Sequence, residues 1–158
     1  MQITKAKYDG SKVRIEYQQP RPGGGEPDEF SVACCDKPRR EFDDRLQALV
    51  ADVVTICELA PTDAAALTVR GVSCTYKDDV FGVCITALKA LRTSNAPLVL
   101  NSPHLPEQAY SGNPGDPNPI LPAGVADRVR RLLAEAERYV AGDRAQGSLF
   151  TPPATETR

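Results

Sequence analysis

Two short alternating runs open the chain, Ile3 to Tyr8 and Lys12 to Tyr17, on either side of Asp9-Gly10. Asp-Gly between such runs predicts a tight β-hairpin, because glycine accepts the positive φ that the turn requires. In the second run Val13, Ile15 and Tyr17 alternate with Lys12, Arg14 and Glu16, the pattern of a half-buried antiparallel strand. Residues 18–27 hold Pro20, Pro22 and Gly23-Gly24-Gly25, which predicts a hairpin tip without regular structure. A third strand is expected from about Glu29 to Cys35.

The period then changes. Asp36-Lys37-Pro38 reads as a helix start, with Asp36 as cap and Pro38 in the first turn. Behind it Phe42, Leu46, Leu49, Val53, Ile56 and Cys57 recur at helical spacing, and Arg40, Asp43, Asp44, Gln47 and Asp52 form the polar face. Pro61 lies beyond the expected end. Two long alternating stretches follow, Leu67 to Tyr76 and Val80 to Leu91, joined by the polar turn Lys77-Asp78-Asp79. The alternation of Thr86, Leu88 and Ala90 with Ile85, Ala87 and Lys89 predicts strand, against the helix preference of Ala, Leu and Lys. Pro97 to Leu100 is a further strand, and residues 101–122 form a long proline-rich loop, expected to strap the sheet.

A last helix is predicted from Pro122 or Ala123. Val125, Val129, Leu132, Leu133, Ala136, Tyr139 and Val140 form its apolar stripe, Arg128, Arg130, Arg131, Glu135, Glu137 and Arg138 face water, and Gly142 stops it. The expected fold is α+β: one domain over residues 1–142, an antiparallel sheet of about six strands with two amphipathic helices on one face, and a flexible tail over 143–158.

Composition agrees with a globular body: of 158 residues, 41% are hydrophobic and 25% charged. No apolar run approaches the roughly 20 residues needed to span a bilayer. The start, Met-Gln-Ile-Thr-Lys-Ala-Lys-Tyr, has no apolar block of the signal-peptide kind, so a cytoplasmic protein is expected. The net charge of −2 is unlike that of proteins that grip nucleic acid by its phosphates. It points to contact with DNA through another protein, and leaves room for a local basic patch.

Five cysteines, with no Cys-x-x-Cys pair and a single histidine, His104, suit reduced core thiols better than a disulfide framework or a zinc site. Cys34 or Cys35 with His104 is the one conceivable thiol nucleophile and base, but adjacent strand residues point to opposite faces. The acidic pairs Asp43-Asp44 and Asp78-Asp79 fall on a helix surface and a turn rather than converging on a cation. The glycine triplet lacks a following Gly-Lys-Ser/Thr, so it is no phosphate loop. No catalytic residue, cofactor or metal is assigned from the sequence.

The tail carries the sharpest signal. Leu149 and Phe150 stand together in an otherwise polar stretch before Pro152-Pro153. Two large apolar side chains either fold back onto a body or fill a pocket on a partner. Gln146-Gly147-Ser148-Leu149-Phe150 resembles the short peptide by which bacterial polymerases and repair proteins bind the DNA sliding clamp, roughly Gln-Leu-Ser/Asp-Leu-Phe. Gln146, Ser148, Leu149 and Phe150 match, whereas Gly147 stands where the pattern prefers Leu, which removes an apolar contact and loosens the free peptide. The resemblance implies that Leu149 and Phe150 enter the clamp's hydrophobic pocket while Gln146 hydrogen-bonds at its rim. The order of elements in the body is also similar to small bacteriophage and prophage proteins, a resemblance that brings a DNA-replication setting in a bacterial host cell but no activity. The competing expectation is an interaction protein whose tail docks on its own domain or a neighbouring subunit.

Overall fold

The computed structural model describes residues 1–145. Strands β1 (Gln2–Tyr8), β2 (Val13–Gln19) and β3 (Asp28–Cys34) form one antiparallel meander. Strands β4 (Leu67–Thr75), β5 (Gly82–Lys89) and β6 (Leu98–Asn101) form a second, and β7 (Leu105–Pro106) pairs with β5 beyond the end of β6. The two meanders join between β1 and β4, which gives the order β3-β2-β1-β4-β5-β6. Helices α1 (Arg40–Gln47) and α2 (Val50–Ile56) lie in the connection from β3 to β4, and α3 (Val125–Val140) closes the fold. The α+β class and the antiparallel sheet are those the pattern predicts.

The first hairpin forms for the predicted reason. Gly10 has φ +94°, and the Asp9 carboxylate accepts the backbone N–H groups of Ser11 at 2.9 Å and Lys12 at 2.8 Å. Those bonds hold the Asp9 carboxyl at about 2, below its ordinary value.

The join between the meanders is short: Lys5 pairs with Ser73, Ala6 with Val72 and Lys7 with Gly71. Gly71 is required there, because a Cβ would lie 2.5 Å from Lys7 Cγ and 2.6 Å from the Ala6 carbonyl oxygen. Beyond Gly71 the register of β4 against β5 shifts, and the Gln47 side chain takes over from β1. Its Nε2 donates to the Val69 carbonyl at 3.0 Å and its Oε1 accepts the Val69 N–H at 3.1 Å. One side-chain amide thus satisfies both backbone groups of a core residue, as a neighbouring strand would.

Ala6, Val13, Ile15, Val72 and Ile85 supply the inner face of the sheet, against which Phe42, Leu46, Leu49 and Val53 pack from α1 and α2, and Val129, Leu132 and Ala136 from α3. Tyr139 completes this core, with its ring edge-on to Phe42 at 6.3 Å.

Three expectations need correction. The single helix from Asp36 to Cys57 is two helices. It starts at Arg40, not Asp36, whose side chain is drawn off to Arg144, and it breaks at Ala48-Leu49, where the Leu49 N–H bonds back three residues to Leu46. The tighter turn lets Leu46 and Leu49 both reach the core without any proline or glycine to mark the break. Asp52, expected on the water face, is only 7% exposed. Arg128 donates to it twice, from Nε at 2.8 Å and from Nη2 at 2.7 Å, so this arginine is not a simple solvated charge either. The proline-rich segment is not loop throughout. It contributes β7, bonds Glu107 to Phe81 through the backbone, and buries Leu121 beside α3. Between β6 and β7, buried Ser102 donates its N–H to the Ile85 carbonyl and accepts the Ile85 N–H on its hydroxyl, both at 2.8 Å.

Arg128→Ala leaves the Asp52 carboxylate buried without its partner. Because the arginine side chain is 38% exposed, the cost expected from a fully buried pair is reduced, to about 2 kcal/mol. Arg131→Ala, which removes an exposed arginine with no ion pair among the described residues, is the control. Urea unfolding should show a large loss for the first and almost none for the second; equal losses would mean the pair does not hold the helices together.

Candidate functional site

The site with the clearest link to the sequence is where the chain leaves the body. Gly142 adopts φ +98° and ends α3 as predicted: its N–H bonds to the Tyr139 carbonyl at 3.0 Å and that of Asp143 to the Arg138 carbonyl at 2.9 Å. The next residues are bound to the body. Arg144 lays its guanidinium over the Tyr139 ring, 4.2 Å from the centroid, and donates to Asp36 Oδ2 at 2.8 Å and Cys34 Sγ at 3.3 Å. The Ala145 N–H bonds to the Lys37 carbonyl at 2.9 Å. Tyr139 donates its hydroxyl to the Asp36 carbonyl at 2.6 Å. The stretch from Cys34 to Lys37, read from the sequence as the end of a strand and a helix cap, is therefore the anchor for the last described residues.

Beside this anchor runs an open groove of about 660 Å³, lined by Tyr8, Pro38, Arg40, Asp44 and Ala145 among others. Ala145, the last described residue, forms part of its wall. Gln146, Ser148, Leu149 and Phe150, the partner-binding residues expected from the sequence, lie outside the described residues. Arg144 was not singled out in the sequence and Asp36 was read only as a helix cap; the one available signal was an arginine placed just past the helix stop.

The remaining candidates are dispersed. Cys34 is at the end of β3 on one edge of the sheet, whereas His104 Nε2 lies 2.8 Å from Thr75 Oγ1 beside β4 and β5. Strands β2 and β1 stand between them, so the sulfur and the imidazole do not form a dyad. Cys74 is buried in the core, and burial pushes its thiol up to about 12. Asp43 accepts from Gln47 and Asp44 pairs with Arg40. Asp78 and Asp79 have φ of +55° and +60°, the left-handed backbone of a tight turn. Among the described residues no group of three or more His, Cys, Asp or Glu side chains is placed to hold a metal ion, and no helix is long and apolar enough to cross a membrane.

A second concavity, about 380 Å³, lies between the sheet and α3, lined by Gln2, Tyr76, Phe81, Arg130 and Glu137 among others. Arg130 there stacks on Phe81, 4.7 Å from the ring centroid, and is forked onto Glu107, so its donors are already engaged. Comparison with protein-family models, with curated proteins and with solved structures finds no match to this chain.

Burial raises the phenols of Tyr139 and Tyr76 well above their ordinary value of 10. A raised value in the folded state means that the neutral phenol contributes full stability below pH 10, and that this contribution is lost as pH rises further. Titration of phenolate absorbance, followed beside circular dichroism, should show two of the five tyrosines ionising only as the fold is lost. All five ionising together in a still-folded protein would contradict the burial of the Tyr139 anchor.

Proposed function

We propose that this protein is a phage-type accessory factor of DNA replication, recombination or repair that docks on the bacterial sliding clamp through Gln146, Ser148, Leu149 and Phe150. The observation that carries the reading is the peptide itself, four of whose five residues fit the clamp-binding pattern. Its placement supports the reading. The peptide begins one residue after Ala145, beyond the α3 stop and the Arg144 anchor, so a partner can take it without opening the core. Leu149 and Phe150 supply apolar anchoring, and Gln146 fixes orientation. The role in DNA metabolism rests on this peptide and on the resemblance of the body to phage proteins.

One observation favours the second reading, an interaction protein whose tail docks on its own domain. The groove at Tyr8, Pro38 and Ala145 begins where the described chain ends. Leu149 follows four residues later, and four residues span at most about 14 Å, so the groove is within reach.

Calorimetry of the full chain with a purified bacterial clamp separates the two readings. Binding should be lost in the Leu149→Ala, Phe150→Ala double variant with thermal stability unchanged. Gly147→Leu should restore the missing apolar contact and tighten binding on the order of tenfold. A double variant that binds as well as the parent sinks the clamp reading. A chain that binds no clamp, and that melts lower when the two side chains are removed, supports the groove instead.

A further inference from the structure

The helices cover only one face of the sheet. On the opposite face the buried strand residues are Gly71, Gly82 and Pro106, the last paired with Gly82 at the sheet border. Register puts Lys5 and Lys7 of β1 and Arg14 of β2 on this face, toward the Asp9-Gly10 turn, and Arg70 of β4 lines a depression with Thr68 and Leu88 of the same face. Lys7 stands directly opposite Arg14 on one side and Gly71 on the other. Like charges facing each other across a strand pair destabilise it.

Acidic partners do not relieve that repulsion. Lys5 reaches Glu16 at 3.8 Å, a long contact, and among the described residues Lys7, Arg14 and Arg70 have no carboxylate within ion-pair distance. Arg39, Arg128, Arg130, Arg138 and Arg144, on the helical side, are all paired. The field of Arg70 reaches Asp9, but that carboxylate is committed to the amides of Ser11 and Lys12. Arg70 itself is the extra residue where β4 bulges between Val69 and Gly71, a device that re-aims a side chain. Its Nε is buried without a hydrogen-bond partner. A chain of net charge −2 thus places three cations that have no ion pair among the described residues, Lys7, Arg14 and Arg70, close together on the face away from the helices.

The geometry points to a function for that face: we propose that it docks the phosphate backbone of duplex DNA without regard to sequence. Charge complementarity selects a polyanion. Neighbouring cations sit about 5–7 Å apart, across and along the strands, a spacing commensurate with successive phosphates. The duplex is favoured over a single strand because no tyrosine or phenylalanine accompanies these cations for a base to stack on, and the one ring on this face, His104, sits at Thr75 and Gly82, away from the basic end. Tyr17 and Phe30 stack on each other at 5.1 Å on the helical side, and Tyr8 meets Phe42 there. The face is flat and offers no element to enter a groove, so it can position the protein on DNA but not read bases. Glu16, directly opposite Lys5, and Glu29, opposite Gln18, limit the surface on the β2–β3 side. This inference does not depend on the tail.

Anisotropy of a short fluorescein-labelled duplex, titrated with the full chain at rising salt, tests it. Four phosphate contacts predict that the logarithm of affinity falls against the logarithm of salt with a slope of about −3 to −4. Lys7→Glu should weaken binding at low salt by tenfold or more while leaving thermal stability equal or higher, because Arg14 gains an opposite charge. Arg14→Gln should weaken it less. The Leu149→Ala, Phe150→Ala variant should bind as the parent does, which separates failure here from failure of the clamp reading. The proposal is overturned by absence of binding at low salt, by binding that ignores salt or the Lys7 charge, or by Lys7-dependent capture on phosphatidylserine vesicles with none on the duplex.

Discussion

Everything in this fold hangs on a seam three residue pairs long. Two antiparallel meanders, each built from local hairpins, become one sheet only where Lys5, Ala6 and Lys7 meet Ser73, Val72 and Gly71. Local hairpins form readily, but a pairing across more than sixty residues must offset a larger loop-closure entropy. Two residues make it close. Gly71 lets the backbones approach without a Cβ in the way, and Gln47 caps the ladder where β1 departs. A side chain other than hydrogen at 71, or an aliphatic one at 47, would leave a strand displaced or a buried backbone pair unsatisfied.

The seam also explains the arrangement of charge. Joining the meanders places one continuous apolar face under the helices, and the segment that crosses from β3 to β4 breaks at Ala48-Leu49 so that Leu46 and Leu49 both reach it. Ion pairs then fasten the helical layer from three sides: Asp52 with Arg128, Glu107 with Arg130, and Asp36 with Arg144. The acidic residues used there are no longer available to the basic residues of the other face.

Much of this was legible in the sequence. Asp9-Gly10, the alternation from Val13 to Tyr17 and the stripe from Val125 to Val140 announce their elements through local chemistry, and the structure has them at nearly the expected bounds. Ile85 to Lys89 is strand despite its helix-favouring residues, because Ile85 and Ala87 are needed inside and tertiary burial overrides propensity. What sequence could not carry were partnerships over long separations. Nothing local to Asp52 says that Arg128 will meet it, nothing near Gln47 marks it as a substitute strand, and nothing around Asp36 reserves it for Arg144 rather than for a helix cap. The basic face was hidden for the same reason: net charge averages over a surface, and only register brings Lys7 beside Arg14. At the candidate site, the sequence supplied the peptide and the structure supplied its root.

The step at Ser102 bears on how this sheet meets its neighbours in a crowded solution. By taking both backbone groups of Ile85 with its own amide and hydroxyl, Ser102 interrupts the β6–β7 border, leaving β6 with four residues and β7 with two. Pro97, Pro103 and Pro106 flank or occupy those pieces, and each lacks the N–H that an incoming strand would need. On that side the sheet offers only the four-residue border of β6. Only β3 presents a border of useful length, and it begins with Asp28 and Glu29. Two copies brought edge to edge along β3 in antiparallel fashion would set each pair of carboxylates against the far end of the other strand, at Ala33 and Cys34, where no lysine or arginine of β3 waits to receive them. Fibrillar self-recruitment is thus discouraged by proline at one border and by uncompensated charge at the other.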